Sequence, residues 1–167
     1  MLPTINFHQN MKWINKTNLR KIRVGNESYL WKRGHYHLDA FEYSQCVEKV
    51  IVFLNGYKNS PLHLLFKEED NLLFKSDLEK EKWCVGYPEQ GVIWLYKPEA
   101  DLRAQRVNVN INLNRPAVIA RLIEHHIGTH WNPRKTNKPL VIEDALRLVE
   151  ELELPKGIHT LNKCSHV

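Results

Sequence analysis

The feature that most constrains this chain is a change of hydrophobic period near residue 114. Up to that point Arg106-Val107-Asn108-Val109-Asn110-Ile111-Asn112-Leu113 alternates apolar and polar residues, the pattern of a strand with one buried face. Beyond it Pro116-Ala117-Val118-Ile119-Ala120-Arg121-Leu122-Ile123-Glu124 repeats at helical spacing. The chain therefore divides into a strand-rich body and a helical C-terminal part. This predicts an α+β fold, an antiparallel sheet of about five to seven strands with two C-terminal helices packed on one face. Val107, Val109, Ile111 and Leu113 are expected beneath the first helix.

A length of 167 residues suits a single domain, 1–167. Residues 1–17 are polar without periodicity and read as an irregular arm, 18–113 as the strand-rich body, 114–155 as the helical part and 156–167 as a loose tail. Lys21–Val24, the turn Gly25-Asn26 and Glu27–Arg33 form a hairpin, because glycine at the first central position gives the turn a twist that matches the strands. Tyr29 and Trp31 then share one face. Val47–Leu54 is apolar on both sides of the pleat and reads as a central strand, followed by turn residues Asn55–Ser60 and a returning strand Leu62–Lys67. Lys82–Tyr87 and Gly91–Tyr96 make another pair. Pro116 opens the first helix, where its missing N–H is harmless. A second helix is expected over Glu143–Glu153, stopped by Pro155 and Gly157.

Composition excludes several classes. Hydrophobic content of 43% with 26% charged residues is that of a soluble globular protein. The longest apolar runs, Val50–Leu54 and Val92–Tyr96, are far short of the ~20 residues needed to cross a bilayer. The first residues, Met1–His8, lack a charged start followed by an apolar stretch, which predicts no secretory signal. Cys46, Cys84 and Cys164 have no short paired spacing, so neither a disulfide framework nor a zinc ribbon is expected, and the compartment reads as reduced and cytoplasmic.

Two histidine groups carry the sharpest chemistry. In an extended strand His35, His37 and Asp39 project to one face, the arrangement a metal needs to gather imidazoles and a carboxylate. On the first helix His126 falls in the middle of the apolar face and His130 one turn beyond, an i, i+4 spacing that helical metal sites use. If the helix end faces the strand, these four imidazoles with Asp39 bind a divalent cation; otherwise His126 is a neutral ring bonded to backbone or water. Cys84 sits in a strand and reads as a buried inert thiol. Ser60 and Ser76 lack a nucleophile elbow, and no glycine-rich phosphate loop is present. The sequence thus predicts no catalytic set and no cofactor beyond that cation.

The net charge of +5 is unevenly placed. Lys12, Lys16, Arg20, Lys21, Arg23, Lys32 and Arg33 crowd the first 37 residues against Glu27 alone, which makes phosphate contacts to nucleic acid, or simply a solvated surface, the consequence. Asn108, Asn110 and Asn112 form an amide row, expected at the solvent side of its strand.

Two pieces together carry a resemblance: the hairpin Ile22–Trp31, and the run Arg115-Pro116-Ala117-Val118-Ile119 through Trp131-Asn132-Pro133 to Lys138-Pro139-Leu140. They resemble small bacterial proteins of unassigned function in which a Trp-bearing strand hairpin precedes a terminal helix ending in Trp-Asn/Asp-Pro. The resemblance implies a bacterial cytosolic origin and assigns no residue a role. The leading functional expectation is a non-enzymatic module that binds another protein, such as an accessory or immunity-type protein of a bacterial toxin or defence system. Nucleic-acid binding through the basic N-terminal half is the second, and a histidine-based metal protein the third.

Overall fold

The computed structural model describes residues 19–40, 43–68, 81–85, 90–97 and 107–160, with backbone alone at 38–40, 43–45, 107–108 and 158–160. The expected arm at 1–17, including Lys12 and Lys16, and the end of the tail lie outside the described residues. The α+β class is as expected, but the strands are divided between two sheets. The first holds five, in the order β1 (Arg20–Val24), β2 (Glu27–Ala40), β3 (Tyr43–Leu54), β4 (Tyr57–Lys67) and β8 (Leu140–Ile142). The second holds four, in the order β5 (Lys82–Val85), β6 (Val92–Tyr96), β7 (Val107–Asn112) and β9 (Lys156–Thr160). All neighbours run antiparallel except β8, which lies parallel to β4.

Short hairpins set the first sheet. Gly25, at φ 58, makes the β1–β2 turn, and Gly56, at φ 89, makes the β3–β4 turn. That second turn is only Asn55-Gly56, so β4 starts at Tyr57, earlier than the expected Leu62. Its register shifts between the Leu54–Tyr57 and Val52–Leu62 pairs, and Pro61 sits inside this irregular stretch, where a missing ladder donor does no harm.

One hydrophobic core joins the facing sides of the two sheets. Trp31, Val50, Leu62 and Phe66 from the first meet Val85, Ile93, Ile111 and Leu113 from the second or its edge. Helix α1 (Pro116–His126) adds Val118, Ile119, Leu122 and Ile123, all fully buried, at roughly 1.5–3 kcal/mol apiece. Of the four residues expected beneath the first helix, Ile111 and Leu113 share a core with the helical stripe, Val109 is only half-buried and the Val107 side chain lies outside the described residues, and α1 lies alongside β1 of the first sheet. The following turn positions Trp131, whose indole Nε1 donates to the Ser60 carbonyl at 2.9 Å and whose ring lies 6.1 Å from that of Tyr29.

Two C-terminal expectations are corrected. The second helix shrinks to a 3-10 turn (Ala145–Arg147) followed by α2 (Leu148–Glu151). Asp144 gives no side-chain cap because its carboxylate pairs with Arg147 at 2.9 Å, and Leu152 is already extended ahead of Pro155. The tail is not loose throughout, since Lys156–Thr160 pairs with β7 as β9. Gly157 permits this: a Cβ there would stand 3.1 Å from Asn110 Oδ1, so a small residue lets the strands approach. No helix among the described residues is long and apolar enough to cross a membrane.

Candidate metal centre

The site grows out of the β2–β3 register. Trp31 pairs with Val52, Arg33 with Val50, His35 with Glu48 and His37 with Cys46. Because side chains alternate, Tyr29, Trp31, Arg33, His35 and His37 share the core face of β2, and Val52, Val50, Glu48 and Cys46 share that of β3. Moving along this row the lining changes from Trp31, which is buried, to His37, which is exposed. The histidines therefore occupy the wet end of a face whose other end is the hydrophobic core.

Glu48 organises the row. Its side chain is 0% exposed, and a carboxylate so buried is tolerated only when its oxygens are filled. Oε2 accepts from Arg33 Nη1 at 2.7 Å; Oε1 accepts from His35 Nδ1 and from the Gly91 backbone N–H, each at 2.7 Å. Arg33 also donates through Nε to Asn114 Oδ1 at 3.0 Å. The second sheet and the loop before α1 thus reach over the row through Gly91 and Asn114. Gly91 has φ +80, and an added Cβ would lie 2.5 Å from Arg33 Nε, so glycine is required on both counts.

A carboxylate only accepts, so Nδ1 of His35 carries the hydrogen and the lone pair of the neutral ring sits on Nε2. That atom is 3.0 Å from Nε2 of His37, with the rings edge to face at 4.9 Å. Cys46 completes the group: one donor atom from each of His35, His37 and Cys46 lies within 4.8 Å of the others. Tetrahedral zinc, with Zn–N of about 2.0–2.1 Å, separates two imidazole nitrogens by about 3.3 Å, close to the spacing found here. A ligating histidine whose far nitrogen donates to a carboxylate is the usual outer arrangement of such sites. Burial, together with the Glu48 and Glu68 carboxylates, raises the Cys46 thiol above its ordinary pKa.

Of the expected metal residues, His35 and His37 are brought together. His126 and His130 are not in their group. His126 is buried in the core, its Nδ1 donates to the Leu122 carbonyl at 2.8 Å, and burial lowers its pKa, with His125, His130 and Arg147 acting in the same direction. It is thus the neutral, backbone-bonded ring of the two alternatives. His130 is exposed one turn beyond, its ring 6.2 Å from that of His126. Asp39 pairs with Ser44, one same-face step past His37 and Cys46, and its side chain lies outside the described residues.

The residues missed from sequence are Cys46 and Glu48. A signal existed: once β2 and β3 are joined through Phe41-Glu42, the spacing of His35 and His37 mirrors that of Glu48 and Cys46. The apolar run that marks β3 in the sequence begins only at Val47, whereas the strand itself begins at Tyr43.

The basic set is partly consumed by internal contacts. Arg20 lies over the Trp31 ring at 4.9 Å and donates to the Asn114 carbonyl, while Arg33 holds Glu48. Lys21 and Arg23 are exposed on β1, and Lys32 is half-buried on the opposite face of β2. The amide row departs from its expected exposure: Asn110 is buried, and Asn112 Oδ1 accepts from the Asn114 backbone N–H at 2.8 Å. Cys84 is buried, and burial, aided by Glu68, pushes its thiol up to about 12.

Compared with known proteins, the chain matches no family model, no curated protein and no solved structure. The functional reading rests on the site's own geometry.

Proposed function

We propose that this protein binds a divalent transition metal of the zinc class through His35, His37 and Cys46. The observation that carries the reading is the pair of imidazole Nε2 atoms 3.0 Å apart, one of them fixed in its tautomer by the fully buried Glu48. Two imidazoles and a thiolate suit zinc or copper far better than the oxygen-seeking magnesium or calcium. Glu48 supports the ligands from behind and donates no electron pair of its own to the cation. Phosphate binding by the basic N-terminal half draws less support, since Arg33 is held by the buried Glu48 carboxylate.

Calorimetric titration of zinc into chelator-treated, fully reduced protein tests the proposal. One equivalent binds, and His37→Ala or Cys46→Ser weakens binding at least tenfold. Absence of saturable binding, with a melting temperature that zinc leaves unmoved, eliminates the reading.

A further inference from the structure

We infer that Asn114, in the loop between β7 and α1, is a positioning residue for the metal ligand His35, acting through Arg33 and Glu48; this rests on the metal-binding reading above. A chain of bonds links the two residues. Asn114 Oδ1 accepts from Arg33 Nε at 3.0 Å, Arg33 Nη1 donates to Glu48 Oε2 at 2.7 Å, and Glu48 Oε1 accepts from His35 Nδ1 at 2.7 Å. A guanidinium is flat and rigid, so a bond that fixes Nε also fixes the direction of Nη1. The buried carboxylate in turn sets the rotation of the His35 ring, and with it the direction in which Nε2 meets a cation.

The same loop reaches the other carboxylate oxygen. The Leu113 N–H donates to the Gly91 carbonyl at 2.8 Å, and the Gly91 N–H donates to Glu48 Oε1 at 2.7 Å. Asn114 Nδ2 lies over Gly91, 2.7 Å from where a Cβ would stand. Leu113 and Asn114 therefore hold both groups that share Glu48 with His35. The loop can bear this role because it is itself pinned. The Asn114 N–H donates to Asn112 Oδ1 at 2.8 Å, its carbonyl accepts from Arg20 Nη1 at 3.1 Å, and Leu113 is fully buried. The Arg33 side chain is 19% exposed, so without Asn114 water takes Nε and the fork turns on Glu48. Coupling of this kind is reciprocal: a cation on His35 holds Glu48, and through it the Gly91 N–H, more firmly.

Calorimetric titration of zinc into reduced, metal-free full chains tests this. Asn114→Ala, which removes the acceptor, weakens zinc binding about fivefold, whereas Asn114→Asp, which keeps an acceptor for Arg33, retains the unmodified affinity. Trp131→Phe, which loses its bond to the Ser60 carbonyl, also retains it and so separates positioning from a general loss of stability. Hydrogen exchange on the unmodified chain gives a second reading that no folding defect can disturb. Zinc slows exchange of the Gly91 amide and leaves that of Asn55, bonded to the Ser28 carbonyl, unchanged. Zinc bound by Asn114→Ala as tightly as by the unmodified chain overturns the inference while metal binding stands, and so does Gly91 exchange that zinc leaves unmoved. An equal loss of affinity in all three variants overturns it too. If the unmodified chain binds no zinc, the metal-binding reading fails and takes this one with it.

Discussion

Glu48 lies opposite His35 in the β2–β3 register, and its Oε1 accepts from His35 Nδ1 at 2.7 Å while none of the carboxylate side chain reaches solvent. Four elements of the molecule meet in that one side chain: two strands of the first sheet, the turn before β6, and, through Arg33, the loop that leads into α1. It is both the outer support of the proposed metal centre and a joint between the two sheets.

Replacing Glu48 by Gln keeps the volume and removes the charge, which leaves the Arg33 guanidinium without its partner. Breaking a buried pair in this way costs about 3 kcal/mol or more. Arg33 is 19% exposed on its side chain, so water relieves part of that cost. Urea unfolding of metal-free protein reads the loss. In the metal-loaded protein the same variant weakens affinity roughly 10–100-fold, the usual consequence of removing a ligand's outer partner.

Gly25 and Gly91 both have positive φ, yet they differ in what surrounds them. Nothing lies near a Cβ at Gly25, whereas one at Gly91 meets Arg33 Nε at 2.5 Å and Asn114 Nδ2 at 2.7 Å. Gly25→Ala is expected to cost about 1 kcal/mol, from backbone strain alone. Gly91→Ala costs more, about 2–3 kcal/mol, because it also displaces Arg33 from Glu48. Equal melting-temperature losses for the two variants would show that the turn over the row is looser than this account requires.

His63 faces away from the core beside Lys49 and Lys32, and burial followed by those two charges lowers its pKa to about 4. The unfolded chain binds a proton near the ordinary value of 6.5, so below that pH the unfolded state holds more protons than the folded one. Stability is therefore complete above pH 6.5, falls as the pH drops, and reaches its floor below about 4. The upper limit of the loss is about 3 kcal/mol, and solvent screening reduces it. His126, lowered by burial, adds to the same trend. Unfolding free energies measured between pH 7.5 and 4 check the slope, and His63→Leu flattens it.

Trp131→Phe keeps an aromatic ring against Tyr29 and removes the donor to the Ser60 carbonyl. An orphaned buried carbonyl costs about 1–3 kcal/mol. Near-ultraviolet circular dichroism keeps its native form in this variant while the urea midpoint falls. An unchanged midpoint would mean that water satisfies Ser60 instead.

Local chemistry was legible where it is written in neighbouring residues. Gly25-Asn26 specified the first hairpin, Pro116 the start of α1, and the switch from alternation to helical spacing placed Ile111, Leu113 and the α1 stripe in one core. Alternation states which residues share a face; it does not state which strand lies alongside, and so the division into two sheets was not legible. The same limit hid most of the site. His35 and His37 stood out by residue type, but the strand that answers them begins with Tyr43-Ser44-Gln45-Cys46, which has no apolar period. Gly91 meets Glu48 across 43 positions of sequence, a contact that no local pattern encodes. Helical spacing permits His126 and His130 to face the strand, whereas the Leu122 carbonyl and the core hold His126 on the helix. β9 was missed because Gly157 reads as a breaker when its purpose is close approach to Asn110.

Zinc K-edge X-ray absorption on the zinc-loaded full chain tests the central claim most directly. The account predicts a first shell with nitrogen scatterers at about 2.0–2.1 Å bearing imidazole outer-shell features and one sulfur at about 2.3 Å, the sulfur vanishing in Cys46→Ser. A shell of oxygens alone, or a sulfur that survives that substitution, would contradict it.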